Sequence, residues 1–202
     1  MAFKVVLATK NPHKVEEILA ILGDIPGIEW LTFRDVPFSD VEEVGETLEE
    51  NAILKATAVA RETGLPALAE DTGLEVEALG GAPGVRSARF AGAGKDYRAN
   101  NEKLLRLLEG VRNRRARFRT VAVLALPDGR TWKAEGVLEG EIAGAPRGEH
   151  GFGYDPLFIP EGETRTLAEM PPEEKNEISH RRRALEAMRP ILHELSSGKL
   201  RL

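Results

Sequence analysis

An α/β fold built on a mixed sheet is the class this sequence predicts, and three patterns predict it. Short apolar runs alternate with amphipathic helical stretches through the first part of the chain. Further on, Pro127-Asp128-Gly129-Arg130 is a hairpin-type turn between two longer strand-like runs. The 202 residues are 42% hydrophobic, enough to bury a substantial interior in one domain or in two lobes that share a core. Strands separated by helices pair in parallel and a hairpin pairs antiparallel, so a sheet containing both is mixed.

The elements follow in order. Phe3 to Ala8 is a short buried strand, and Asn11-Pro12 then supplies a capping side chain and a proline at the first helical position. That helix runs to about Gly23, and Ile28 to Phe33 is the second strand. Thr47 with Glu50 has the spacing of a capping box at the head of a long helix ending near Gly64. Pro66 to Glu70 is the next strand, and Leu74 to Leu79 pairs locally before the turn residues Gly80, Gly81, Pro83 and Gly84. Asp96 to Glu109 is helical, and strands at Phe118 to Leu126 and Thr131 to Ile142 form the hairpin. Near the end, Leu185, Met188, Leu192 and Leu195 recur at helical spacing as a stripe that faces either the core or a dimer partner, with Pro190 a candidate kink.

Composition removes several classes of function. Without cysteine there are no disulfides, zinc-thiolate sites or thiol nucleophiles, so any metal sits on oxygen or imidazole. A net charge of -5 argues against a broad basic surface, and no nucleic-acid partner is expected. Arg112 to Arg119 is a local exception, but its arginines alternate with Ala116 and Phe118 as solvated charges on an edge strand do. Met1 to Ala8 is too short for a signal peptide and no stretch reaches membrane-spanning length, so the expected compartment is the cytoplasm, without a membrane partner.

The chemistry is carried by residues that break local rules. Lys14 falls in the first turn of the opening helix, where the dipole and free N–H groups favour anions. Either it is a solvated lysine on a capped helix, or the Thr9-Lys10-Asn11 loop and helix start form a phosphate site. Lys55 shares a helical face with Leu48, Ala52 and Val59, and a lysine on an apolar stripe either snorkels or meets a buried anion. Two acidic pairs stand out: Glu42-Glu43 in a loop, and Glu70-Asp71 at the carboxyl end of a predicted strand, where α/β sheets hold ligands. Sparse carboxylates of this kind suit magnesium, which keeps water and phosphate as its other ligands. In Gly151-Phe152-Gly153-Tyr154-Asp155-Pro156, glycines flank an aromatic ring, an arrangement that serves either a tight turn or a wall for a flat base. Lys175 and Ser179-His180-Arg181 place further cations around the expected start of the last helix, repeating the Lys14 anomaly.

Five segments together, Thr9-Lys10-Asn11-Pro12-His13-Lys14, Glu70-Asp71-Thr72-Gly73, Leu79 to Gly84, Gly151 to Pro156, and Glu174-Lys175-Asn176 through Ser179-His180-Arg181, resemble the inosine/xanthosine triphosphate pyrophosphatase family in order and spacing. The resemblance covers nearly the whole chain. It implies an elongated mixed sheet flanked by helices, two lobes with the active-site cleft between them, and a homodimer. It implies Mg2+ as cofactor and hydrolysis of damaged purine nucleoside triphosphates (ITP, dITP, XTP) to the monophosphate and pyrophosphate. By the same similarity Thr9, Lys10, Asn11, Pro12, His13 and Lys14 hold the triphosphate with Lys55. Glu42 and Asp71 bind the metal, with Glu43 as the alternative to Glu42, and Asp71 also orients the attacking water. Thr72 contacts the substrate, Phe152 stacks on the base beside Gly153, Tyr154 and Asp155, and Lys175, His180 and Arg181 close the base and phosphate end. Selectivity for a 6-keto purine is expected from donors on Arg181 or nearby backbone. Lys10 and Glu70 depart from the family pattern, and Lys10 is either an extra phosphate contact or an exposed side chain.

Two other readings compete. A nucleotide sensor without chemistry has no need of Asp71 beside a metal ligand. A Maf-type pyrophosphatase is the nearest alternative among enzymes, and the segments at Gly151 to Pro156 and Ser179 to Arg181 favour the inosine-type branch.

Overall fold

The computed structural model describes residues 2–201. Six strands form one mixed sheet in the order β2-β1-β3-β4-β5-β6: β1 Phe3–Leu7, β2 Ile28–Leu31, β3 Ala67–Val76, β4 Arg115–Ala125, β5 Thr131–Ile142 and β6 Phe158–Pro160. β1 pairs in parallel with β2 and with β3, whereas β5 and β6 are antiparallel. The helices are α1 Pro12–Leu22, α2 Leu48–Thr63, α3 Tyr97–Leu107, α4 Pro172–Ile178 and α5 His180–Ser196.

By its internal packing the chain divides into two compact units. The first comprises Met1–Asp71, Thr120–Gly136 and Arg181–Leu202, and the second Thr72–Arg119 and Val137–His180. The core of the first unit joins Val5 and Leu7 of β1, Leu68 of β3 and Ala122, Leu124 and Leu126 to Ile18, Ile21 and Leu22 of α1. Leu185, Met188, Leu192 and Leu195 of α5 are wholly buried in that same core. The helical stripe therefore faces the interior of its own unit, and the dimer-facing alternative falls away. The second unit packs Leu104 and Leu108 around Leu74, Val76, Ala116, Phe118, Leu138, Ile142, Leu157 and Phe158.

Local chemistry accounts for most element ends. Asn11 caps α1, its side chain accepting from the N–H groups of His13 and Lys14, with Pro12 at the first helical position. Thr47 caps α2 through the Glu50 N–H at 3.1 Å, but only half of the expected box forms. The Glu50 carboxylate reaches the N–H of Glu46, at 2.7 Å, one residue further back than Thr47. Gly64 ends the helix in a left-handed conformation.

Four expectations need correction. Glu70-Asp71 does not end a strand: β3 runs on to Val76, so the two acids lie in its middle. Four polar or flexible residues in a row mask the strand, while Leu74 and Val76 beyond them are fully buried and hold it extended. The arginine run lies within the sheet, because β4 stands between β3 and β5. Its charges are taken up across the strands, Glu75 by Arg117 at 2.6 Å and Arg119 at 3.2 Å, and Glu77 by Arg115 at 3.8 Å. Lys175 belongs to the separate helix α4, at its fourth residue, and is not at the head of α5. The second strand also stops at Leu31, since Asp35 takes the Thr32 N–H and hydroxyl and turns the chain.

Candidate active site

In the first unit a cluster of opposite charges is assembled from α1, α2, β3, α5 and the loop before α2. Lys14 Nζ is 2.8 Å from Glu70 Oε1, in a carboxylate that is 1% exposed. Arg181, also 1% exposed, places Nη1 2.6 Å from Glu17 Oε1 and Nη2 3.5 Å from Glu70. Lys55 Nζ donates to the Glu70 carbonyl at 2.8 Å, contacts Glu43 Oε1 at 2.8 Å and lies 3.7 Å from Asp71 Oδ1. Lys55 therefore meets buried anions and does not snorkel outwards.

Four carboxylates thus face three cations in a low-dielectric setting, and the protonation energies follow. Burial pushes Glu70 up, but Arg181, then Lys14 and Lys55, hold it far below the ordinary carboxylate range. Burial raises Asp71, Lys55 and Lys14 oppose this, and Glu43 and Glu70 add to it, leaving a net upward shift. Burial lowers Lys55, but Asp71, Glu43 and Glu70 more than reverse it, so the ammonium stays charged. Asp71 Oδ2 is buried with no hydrogen-bond partner. A buried orphan oxygen is costly, and an added cation or water is what would satisfy it.

Two features set the position of Glu43. Asn51 of α2 is buried and accepts the Gly45 N–H at 2.8 Å, pinning the loop that carries the acid. A side chain at Gly45 would collide with Asn51 and Glu50. Glu43 is half-buried beside Lys55, whereas Glu42 is exposed.

The helix start is laid out as the sequence suggests. Thr9 Oγ1 accepts the Asn11 N–H at 3.1 Å, and Asn11 Oδ1 the His13 N–H at 3.0 Å. Pro12 and His13 are exposed. Lys10 resolves toward the surface alternative: its ammonium pairs with exposed Asp40 at 2.7 Å and lies 5.4 Å from the Phe38 ring centre.

The second unit groups the remaining candidates. Asp155 Oδ2 accepts Lys175 Nζ at 2.6 Å, both side chains being almost fully buried, and the Phe152 N–H at 3.0 Å. Lys175 Nζ also lies 4.8 Å from the Phe152 ring centre. Gly151 has φ 71°, and any side chain there would strike the Asp155 carboxylate. Tyr154 donates its hydroxyl to the Ser87 carbonyl at 2.6 Å, and burial pushes its pKa up, so it stays neutral. Gly153 offers its carbonyl to Asn101 Nδ2 at 3.1 Å, and Tyr97 lies 6.1 Å from Phe152 between ring centres. His180 is buried, stacked on Phe118 at 4.4 Å, and Thr72 is half-buried. Phe152, Gly153, Asp155 and Lys175 are thus brought together, while His180 packs on the Phe118 ring.

Glu17, Asn51 and Asn101 escaped the sequence reading. Asn51 alone left a signal, an asparagine on the buried face of a helix whose other members there, Lys55 apart, are alanines, leucine and valine.

Residues 5–191 match the family described as the Ham1 family. The chain belongs to the Ham1 family. Its curated relatives are named dITP/XTP pyrophosphatases. That of Elusimicrobium minutum is 56% identical over 91% of this chain and 96% of its own. That of Deinococcus deserti is 54% identical over 92% and 87%. Among solved structures, a HAM1 protein from Coxiella burnetii is 43% identical, covers 95% of this chain and 99% of its own, and superposes with a TM-score of 0.86. The Staphylococcus aureus Ham1 protein is 40% identical, with a TM-score of 0.82 over 98% of this chain. The mixed α/β fold and the family expected from the five segments are both borne out. Among the described residues no helix is long and apolar enough to cross a membrane.

Proposed function

We propose that this Ham1-family chain hydrolyses damaged purine nucleoside triphosphates, ITP, dITP and XTP, to the monophosphate and pyrophosphate, as a cytoplasmic homodimer using magnesium. The observation that carries the proposal is Asp71: a buried carboxylate with one oxygen unsatisfied, sharing Lys55 with Glu43, on a chain whose curated relatives are named dITP/XTP pyrophosphatases.

The donor set suits the metal. Among the described residues no group of three or more histidine, cysteine or acidic side chains forms a cage. Two carboxylates, with phosphate and water completing the shell, are what magnesium ordinarily accepts. Of the neighbouring acids, Glu43 shares Lys55 with Asp71 and is the better second ligand; exposed Glu42 is the weaker one. Magnesium, when bound, supplies charge neutralisation at the phosphate oxygens.

The rest is the work of the chain. Water attacks the α-phosphorus, an oxygen–phosphorus bond forms, the α–β bridging bond breaks, and pyrophosphate leaves. Asp71 fixes the water and receives its proton as the general base. Lys14 and Lys55 stabilise charge on the triphosphate, with the positive end of the α1 dipole beside Lys14 adding to the field. The resemblance assigns the purine to Phe152 and its neighbours. Arg181 is 1% exposed and engaged with Glu17 and Glu70, so the backbone N–H alternative is the better source of donors to a 6-keto oxygen. An amino group at that position meets a donor with a donor and is rejected.

Pyrophosphate release from a panel of ITP, dITP, XTP, ATP and GTP, with magnesium and with a chelator, tests this. Turnover of the first three well above ATP, lost on chelation, is the expected result. Comparable turnover of ATP would overturn the selectivity, and absence of pyrophosphate the whole assignment.

A further inference from the structure

Lys55 rises from the middle of α2, and its three ammonium protons have three oxygens around them: the Glu70 carbonyl at 2.8 Å, Glu43 Oε1 at 2.8 Å and Asp71 Oδ1 at 3.7 Å. The last two belong to the carboxylates given above to the metal. An ammonium and a divalent cation ask the same thing of these oxygens, and the two positive charges repel strongly at such range. The ion coordinates at roughly 2.0–2.1 Å, close enough to compete for the same lone pairs. The four-carbon stem of lysine is flexible, so the ammonium is able to swing away while its backbone stays in the helix.

We infer that Lys55 is a resident counter-ion that holds Glu43 and Asp71 together and that a divalent cation must displace from them. The inference rests on the metal assignment proposed above. It gives Lys55 two successive partners. While the metal is absent, its charge is spent on the carboxylate pair; once displaced, it is released toward the anion that accompanies the metal, the triphosphate. Each ligand then favours the other through one side chain, and thermodynamic linkage makes that coupling reciprocal.

The test is a titration of the whole protein with Mn2+ in the absence of nucleotide, read by electron paramagnetic resonance and by calorimetry. Lys55→Met keeps the apolar stem among Ala52, Ala56 and Val59 and removes the competitor, and it binds Mn2+ on the order of tenfold more tightly than the wild type. Lys55→Gln, a second variant in case the first folds poorly, tightens binding likewise. Lys14→Met deletes equal charge from beside Glu70; it weakens the field at Asp71 but removes no ammonium in contact with Glu43 or Asp71, so it tightens binding by much less than the Lys55 variants. Equal or weaker binding by the Lys55 variants, including no binding by any of the proteins, overturns the inference. So does equal tightening in Lys14→Met, which would make the effect a general field. Failure of the metal assignment is read separately, as pyrophosphate release that persists in chelator.

Discussion

Arg181 Nη1 lies 2.6 Å from Glu17 Oε1, a contact between the closing and opening helices across 164 sequence positions. Both groups are buried, and the same guanidinium reaches Glu70 on β3. Truncating one member of a buried charge set strands the others, so Arg181→Met is expected to lower stability by about 3–5 kcal/mol. Urea unfolding measures this, and a midpoint within error of the wild type would remove Arg181 from the framework.

Asp71 should be worth more to turnover than to folding. Its pKa is shifted up in the folded chain, so its charged form is disfavoured there at neutral pH. Asp71→Asn is expected to lower kcat by roughly 10²–10⁴-fold. The same variant should raise the thermal midpoint by on the order of 2 °C. Turnover assays and calorimetry on one preparation check both; a fall in midpoint would show that the attraction to Lys55 outweighs the repulsions.

Glu70 behaves oppositely. Its folded pKa lies below its unfolded value, so the unfolded chain takes up the proton first. The stability it contributes is present above the ordinary carboxylate range and ebbs as pH falls toward its depressed folded pKa. Glu70→Gln should flatten the stability-against-pH curve on the acid side, compared with the wild type by chemical unfolding between pH 3 and 6. An unchanged slope would assign the acid sensitivity to other groups.

Phe152 is the residue proposed above to stack on the base. If its ring stacks on the purine, Phe152→Ala removes ~1–3 kcal/mol of binding, a rise of roughly 5- to 150-fold in KM. An effect confined to KM marks binding made equally in ground and transition states. A loss of kcat with KM intact would contradict the stacking role.

How much of this was visible in the chain depends on whether the deciding force was local. The first strand, the Asn11 cap and both ends of β5 were legible because alternation, capping and turn chemistry act within a few residues. The run through Glu70, Asp71, Thr72 and Gly73 was not, because its buried charges are met by Lys14, Lys55 and Arg181, which arrive from distant parts of the sequence. The arginines of β4 misled for the same reason, their partners Glu75 and Glu77 lying about forty positions away. Several candidate site residues, Lys14, Lys55 and Asp71 among them, were legible as residue types; the engagement of Arg181 with two acids, and the nearness of Glu43 to Lys55, were not.

The Arg181 contact also bears on how the protein is made. Synthesis proceeds from the amino end, so Glu17 and Glu70 leave the ribosome well before the guanidinium that neutralises them. A nascent chain halted before α5 would carry both acids without the guanidinium, leaving Glu70 to Lys14 and Lys55, and without the four apolar side chains that complete the surrounding interior. The polar cluster is therefore completed only at the close of translation.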